Sequence, residues 1–208
     1  MEQCAALTAR PQRDAILRAI AEHDSGWAAE DAAPTVNPTT GGVVDFVALS
    51  VPRRQAVWPR GVAGLAHDPW AAALVAQHAI TVYDRFRADA EWTSFFAEMT
   101  AARDAMLHSS RLSLDNLLAD YTFVRLGDLI SLSFCAGWAE AQRFRDWTIQ
   151  LFGARVVVTP DLFDGAEIPI EITAREIRSQ AFRSRTELRN ALSNANTTTL
   201  RGEVAGTR

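Results

Sequence analysis

Hydrophobic residues recur at intervals of three and four over most of the first 140 residues, the spacing of helices that bury one face. Asp68 and Pro69 supply an N-cap and a first-turn proline for one such helix. Gly26 ends another, which begins near Pro11. The predicted helices cover residues 11–26, 69–87, 91–110 and 114–138, and the last is the most apolar.

Four of the eight prolines and a glycine pair fall within residues 31–62, which predicts a long ordered loop rather than a helix. Apolar residues such as Phe46, Leu49 and Trp58 indicate that this loop is anchored to the core. Loops of this length in compact domains are usually functional or disordered.

The pattern changes near residue 150. Arg155–Thr159 is β-branched, and Glu167–Ile172 alternates isoleucine with acid or proline, so both predict strands. Pro169 can lie only on a sheet edge. The sequence thus predicts one mainly α domain over residues 1–208. Its parts are a helical core (1–150), an extension containing a small antiparallel sheet (151–192) and a flexible tail (193–208).

The charge and amino-acid content of the chain exclude several classes of function. The net charge is −4 with a pI near 5.6, which gives no electrostatic footprint for nucleic acid or an anionic membrane. All 21 basic residues are arginine, which excludes lysine Schiff-base and Walker-A chemistry. No apolar run reaches the ~18 residues of a membrane span, and no signal-peptide pattern is present. We expect a cytoplasmic bacterial protein that acts on a small molecule, and a homodimer is compatible with the sequence.

Asp128 is an isolated carboxylate in an apolar helical stripe that includes Tyr121, Val124 and Leu132. Burial of an unpaired carboxylate is costly, so Asp128 must pair, protonate or bind a metal. Pairing with an arginine remains open. His78 likewise lies among Leu74, Val75 and Val82, where a histidine is more often a core residue than a ligand.

Two His-Asp pairs contrast with each other. Asp68 of the pair His67-Asp68 is explained by helix capping. His23-Asp24 instead follows the end of a helix, where the helix dipole disfavours a carboxylate and a cation would relieve the conflict. Two histidines and two carboxylates would suit a divalent Fe, Mn, Zn, Co or Mg ion. Such an ion can lower the pKa of water and create a nucleophile.

The order His-Asp, helical His, helical Asp resembles the HD superfamily of metal-dependent phosphohydrolases, whose core is a helical bundle. The runs EHDSGWAAEDAAPTVNPTTGGVVDF, DPWAAALVAQH and VRLGDLISLSFC look like those of an uncharacterised bacterial family in that superfamily. The resemblance covers essentially the whole chain and implies an HD-type bundle with a small β element. It implies that His23 and Asp24 are paired metal ligands, His78 an additional ligand and Asp128 the closing aspartate.

One HD feature is missing, because no histidine precedes His23. Cys4 could replace that ligand, the chain could begin downstream of it, or the site could be degenerate. A shortened N-terminus is favoured, since Glu2 to Leu7 resembles the middle of a helix. An N-terminal helix is then expected beside Leu17 and Ile20, with incomplete metal occupancy.

The resemblance implies a hydrolase for a small phosphorylated or anionic metabolite, in which Asp24 and the metal activate water. Arg53, Arg54 or Arg125 would neutralise the substrate. An HD-type di-iron oxygenase is an alternative, although such enzymes commonly place a lysine near the site. A binding protein that has lost its chemistry is another.

The chain that leaves the HD pair is expected to cover the site. Trp27, Asp31, Asp45 and Trp58 would then wall the pocket, and for the two tryptophans simple anchoring of the loop is equally open.

Overall fold

The computed structural model describes residues 1–207. They form eight α-helices and five β-strands, with about half of the chain helical and 18% in strands. The helices are α1 (Ala5–Thr8), α2 (Arg13–Glu22), α3 (Ala28–Asp31), α4 (Val51–Gly64), α5 (Pro69–Val82), α6 (Thr93–Ser110), α7 (Leu114–Cys135) and α8 (Arg185–Ser193). The strands are β1 (Gln142–Phe144), β2 (Trp147–Phe152), β3 (Arg155–Thr159), β4 (Glu167–Glu176) and β5 (Asn196–Gly206).

Helix α5 is the centre of the helical region. Every residue from Trp70 to Ile80 is buried, and α2, α4, α6 and α7 pack around the helix. Its five alanines in this stretch let neighbouring helices approach from several sides. The predicted cap is confirmed, because the Asp68 side chain accepts a hydrogen bond from the Ala71 backbone nitrogen at 3.1 Å. None of the helices within residues 1–207 has the length and apolar character needed to cross a bilayer.

Helix α7 joins the helices to the sheet. A capping box between Ser113 and Asn116 starts it. It packs against α2 and α5 on one side and against β1, β2 and β3 on the other. The predicted bounds of α6 and α7 agree with the structure to within about three residues.

The sheet corrects the predicted fold class. A mainly α bundle with a small antiparallel element is wrong, because the five strands form one mixed sheet in the order β1-β2-β3-β5-β4. Strands β3 and β5 are parallel, and all other neighbours are antiparallel. The outermost position of β4 does agree with the prediction that Pro169 lies on an edge strand.

The predicted flexible tail is also wrong. Asn196–Gly206 is β5, which lies between β3 and β4 and pairs with both. Val204 and Ala205 are buried, and Thr197–Thr199 supplies β-branched residues for the pairing with β4. The Asn- and Gly-rich composition suggested disorder, but β4 pairs with this segment from Asn196 to Ala205, and β3 pairs with it from Glu203 to Gly206.

The predicted loop at 31–62 is correct only in its first part. Helix α4 begins at Val51, with Pro52 in its first turn, and continues through Pro59. The earlier residues are ordered by a bridge between Val36 and Val43. The Gly41 carbonyl accepts a hydrogen bond from the Phe182 backbone nitrogen at 2.8 Å, which fixes the loop to the C-terminal region.

Candidate metal centre

Three helices bring His23, His78 and Asp128 together. His23 is the C-cap of α2, while His78 and Asp128 lie within α5 and α7. One candidate ligand atom from each residue lies within 4.8 Å of the other two. The three residues are 8%, 1% and 4% exposed, respectively. The cluster is therefore a buried group of two imidazoles and one carboxylate.

A backbone hydrogen bond orients His23. Its Nδ1 donates to the Ile20 carbonyl oxygen at 2.8 Å, so in the neutral ring Nε2 carries the free lone pair. Nε2 lies 3.2 Å from Asp24 Oδ2 and 3.5 Å from Asp128 Oδ1. It is buried but makes no well-aligned hydrogen bond. Nε2 therefore faces two carboxylates, and a cation that binds there must displace the proton that Nε2 carries in the metal-free protein.

Tyr121 orients His78 in a similar way. The Tyr121 hydroxyl lies 3.1 Å from His78 Nδ1, and His78 Nε2 lies 3.7 Å from Asp128 Oδ2. With the proton on Nδ1, Nε2 is available to a cation. Burial is the main reason that the pKa of His78 is lowered to about 4. His23 and Arg125 contribute to this lowering of the pKa, whereas Asp128 acts to raise it. His78 is therefore neutral at pH 7, the form that a metal requires.

Asp128 contacts both histidines and one arginine. Its Oδ1 faces His23, and its Oδ2 faces His78 and accepts a hydrogen bond from Arg125, one turn earlier in α7. Burial acts to raise the pKa of Asp128, but His23, His78 and Arg125 together hold it below its usual value. Pairing with an arginine, one of the alternatives for this carboxylate, therefore occurs beside the histidine contacts.

The donor set fits a divalent cation. Ligand atoms on one ion lie roughly 3 to 4 Å apart when each bond is about 2.1 Å, close to the separations seen here. Both rings present Nε2 while Nδ1 is held by another group, as is usual for metal-ligating histidines. Asp24, predicted as a paired ligand, lies outside this group of three: its Oδ2 contacts His23 Nε2 at 3.2 Å, and its side chain is 58% exposed.

The pKa of His23 leads to a pH prediction for the metal-free protein. Burial acts to lower this pKa, but Asp128 and Asp24 outweigh it and raise the pKa from 6.5 to about 10. A raised pKa stabilises the folded state fully below pH 6.5, and this stabilisation is lost as pH rises toward 10. The unfolding free energy in urea with EDTA should therefore fall between pH 7 and 10, and this fall should disappear in His23→Gln. His67→Gln, at an exposed histidine, is the control. An equal slope in His23→Gln and the wild type would contradict the assignment.

The turn after His23 is fixed by close packing on α4. Asp24 precedes a 3-10 turn, Ser25–Trp27, and Gly26 within it is buried. A Cβ atom at Gly26 would lie only 2.1 Å from the Val57 carbonyl oxygen and 3.0 Å from the Gly61 backbone nitrogen. Only glycine allows the turn backbone to come this close to α4, and this contact holds the His23-Asp24 pair against α4.

A cavity of about 400 Å³ opens beside the cluster, within the usual range for small-molecule sites. His78 and Asp128 form part of its wall, together with aromatic and charged side chains. The other lining residues are Asp24, Trp27, Asp31, Phe46, Val47, Arg54, Trp58, Val82, Tyr83, Arg85, Arg125, Leu132 and Trp138.

Four of the five predicted substrate-binding residues line this cavity: Trp27, Asp31, Trp58 and Arg125. Asp45 does not, so its placement in the wall is wrong. It is exposed and accepts a hydrogen bond from the Ala48 backbone nitrogen at 2.8 Å, which orders its own turn.

Of the three arginines suggested for the substrate, Arg53 turns away from the cavity and forms an ion pair with Glu30. Arg125 lines the cavity but is bound to Asp128. Arg54 lines it without such a partner among the described residues.

Cys4 does not join the metal-ligand group. It is fully buried in the hydrophobic core and caps α1, which has only four residues. The expected N-terminal helix is therefore reduced to one turn. Met1 and Ile20 line one small apolar cleft, so Met1, rather than the expected N-terminal helix, lies near Ile20. The replacement of a missing histidine by Cys4 is not supported by this arrangement.

Sequence reasoning missed several contributors. Tyr121 shares the helical face of Asp128, and that spacing could have indicated its role beside His78. Arg85 and Tyr83 follow the end of α5 directly, at the cavity wall. Another buried carboxylate, Asp120, was also missed. It pairs with Arg10 and accepts a hydrogen bond from Trp70 Nε1 at 3.0 Å.

Comparison with family models identifies the relatives of this chain. Residues 3–179 match a family described as "Protein of unknown function (DUF3891)". The chain belongs to this family. All four predicted metal ligands lie in the matched range, whereas α8 and β5 lie outside it. Neither curated proteins nor solved structures give a match.

Proposed function

We propose that this protein is a metal-dependent hydrolase of the HD type that acts on a small phosphorylated or otherwise anionic compound. The observation that carries the proposal is the convergence of His23, His78 and Asp128 on one buried point at the wall of a cavity. Packed helices hold all three, as a preorganised site requires.

A bound divalent ion supplies Lewis-acid chemistry, because it stabilises negative charge on a substrate and lowers the pKa of water. His23 and His78 would hold it through Nε2, and Asp128 through its carboxylate. Asp24 contacts His23 Nε2 and also lines the cavity, so its carboxylate can accept a proton from an attacking water. His23, His78 and Arg125 together favour the ionised form of Asp128, and aromatic side chains form part of the cavity wall.

The test is phosphate release from a panel of phosphomonoesters and phosphodiesters, such as p-nitrophenyl phosphate and bis-p-nitrophenyl phosphate. We expect turnover that EDTA removes and a divalent ion restores. Asp24→Asn should lower the rate about 10²- to 10⁴-fold, the usual contribution of a general base. Asp45→Asn is the matched control, because Asp45 is exposed and outside the cavity, and it should leave the rate unchanged.

Two other outcomes would contradict the proposal that the protein is a hydrolase. Two irons with a visible absorption band and oxygen consumption would indicate a di-iron oxygenase. Ligand binding without turnover, in protein that holds no metal, would indicate a binding protein.

A further inference from the structure

Two arginines in the cavity lack the carboxylate partner that most arginines of the helical region have. Neither Arg54 nor Arg85 forms an ion pair or a side-chain hydrogen bond with any of residues 1–207, although both line the cavity. The contrast with their neighbours is direct. The paired arginines are Arg10 with Asp120, Arg13 with Asp14, Arg18 with Asp68, Arg53 and Arg60 with Glu30, Arg87 with Asp84, Arg103 with Asp104 and Arg125 with Asp128.

Aromatic rings hold both guanidinium groups in place. The Arg54 guanidinium carbon lies 5.5 Å from the ring centroids of both Phe86 and Trp92, and that of Arg85 lies 4.7 Å from the centroid of Phe86. Such contacts orient a guanidinium group without neutralising it, so its N–H groups stay available for hydrogen bonds. Both guanidinium groups contact the same ring, so an anion bound beside that ring would be attracted to both charges.

The pair is separate from the His–Asp cluster. A series of ring contacts leads from His78 to Trp58 at 5.4 Å, from Trp58 to Tyr83 at 6.1 Å and from Tyr83 to Phe86 at 6.3 Å. Neither arginine forms an ion pair with Asp128, which Arg125 already contacts. The cavity therefore has a carboxylate-and-imidazole part and a separate cationic part.

We propose that Arg54 and Arg85 form a subsite for an oxyanion of the substrate, a phosphate or carboxylate group, away from the bond that is broken at the His–Asp cluster. The substrate is then a small elongated molecule with one such group at the end remote from the reaction. Its middle part lies along the aromatic wall of Trp58 and Tyr83. This inference rests on the proposed function for its use of the cavity, but the subsite itself needs no metal.

The experiment uses the full chain in EDTA, so that a metal contributes nothing to binding. Inorganic phosphate and succinate are titrated separately by calorimetry, with tryptophan fluorescence as a second readout. We expect at least one of them to bind, and the stronger one identifies the anion. Arg54→Gln and Arg85→Gln should each weaken binding about ten- to a hundredfold, the effect of losing charge-assisted hydrogen bonds. Arg87→Gln, with an arginine paired to Asp84, is the matched control and should bind as the wild type does.

Arg54→Lys is a control for misfolding of the glutamine variant. It keeps a positive charge near the rings but lacks the planar guanidinium group. It should fold, as seen by circular dichroism, and still bind more weakly. The proposal is overturned if neither anion binds the wild type or if the Arg54 and Arg85 variants bind like it. It is equally overturned if binding is lost in His23→Gln instead, which would place the anion in the cluster. Failure of the proposed function gives a different result: the protein still binds the anion but shows no metal binding or no turnover.

Discussion

Replacement of Asp128 by alanine is expected to abolish binding of a divalent ion. It removes the carboxylate that contacts both histidines and leaves two neutral donors, which hold a divalent ion poorly. Mutation of a residue that only supports a metal ligand typically weakens metal binding about 10- to 100-fold. Loss of a ligand itself should weaken it more, so we expect at least about 100-fold weaker binding.

The same variant should also destabilise the metal-free protein. In the metal-free protein, buried Asp128 pairs with Arg125 and with protonated His23, so its removal leaves Arg125 without a partner and His23 with Asp24 alone. We expect a loss of about 3 kcal/mol, the lower end of the range for a broken buried pair, because Arg125 reaches solvent and His23 can lose its proton. Urea unfolding with EDTA measures this effect, and metal analysis measures the first.

Two variants control this prediction. Asp128→Asn keeps the volume and removes the charge, so it should fold and still lose the metal. Asp115→Ala changes an exposed acid in the first turn of the same helix and should affect neither measurement by more than a few tenths of a kcal/mol. Unchanged metal stoichiometry in Asp128→Asn and Asp128→Ala together would remove Asp128 from the site.

A methyl group at Gly26 is expected to disrupt both the fold and the site. The added Cβ atom would meet the α4 backbone at Val57 and Gly61, which cannot rotate away as a side chain could. Overpacking of this kind costs about 1–3 kcal/mol or more, and contact with backbone favours the upper end. Because Gly26 lies three residues from His23, the movement should also weaken metal binding.

The matched control for Gly26→Ala is Gly64→Ala in α4 itself. An added Cβ atom there has no heavy atom within 4 Å, and the backbone is helical. Alanine should therefore stabilise the protein by up to about 1 kcal/mol through helix propensity. Thermal unfolding compares the two variants. Equal stability of Gly26→Ala and the wild type would mean that the turn does not pack on α4 as described.

The helical region was the more predictable part of the fold. In α5, the cap at Asp68 and the apolar run after Pro69 act locally, so the sequence alone locates the helix. Helix α4 was missed because Pro52 and Pro59 resemble loop signals, yet Pro52 lies in the first turn, where its missing N–H costs nothing. Strand β5 was missed because its order comes from two partner strands distant in sequence, which local composition does not report.

For the site, the sequence indicated His23, His78 and Asp128 because each is a polar residue in an apolar helical surrounding. The structure places their side chains in contact. Asp45 and Arg53 could not be assigned in this way, because they lie in polar segments. Their partners, the Ala48 backbone nitrogen and Glu30, cannot be predicted from the spacing of hydrophobic residues. Arg85 was missed because its position depends on how the turn after α5 folds over the cavity.

The most direct test of the central claim is metal analysis of the full chain by equilibrium dialysis, with zinc, manganese and ferrous iron supplied in turn. The wild type is expected to bind one ion per chain at saturation. Occupancy should fall below one after dialysis against metal-free buffer, because the three side chains His23, His78 and Asp128 form an incomplete set of ligands. Binding should be lost in His78→Ala and retained in Cys4→Ser. A wild type that binds none of these ions, or a His78→Ala variant that binds them as tightly, would contradict the account.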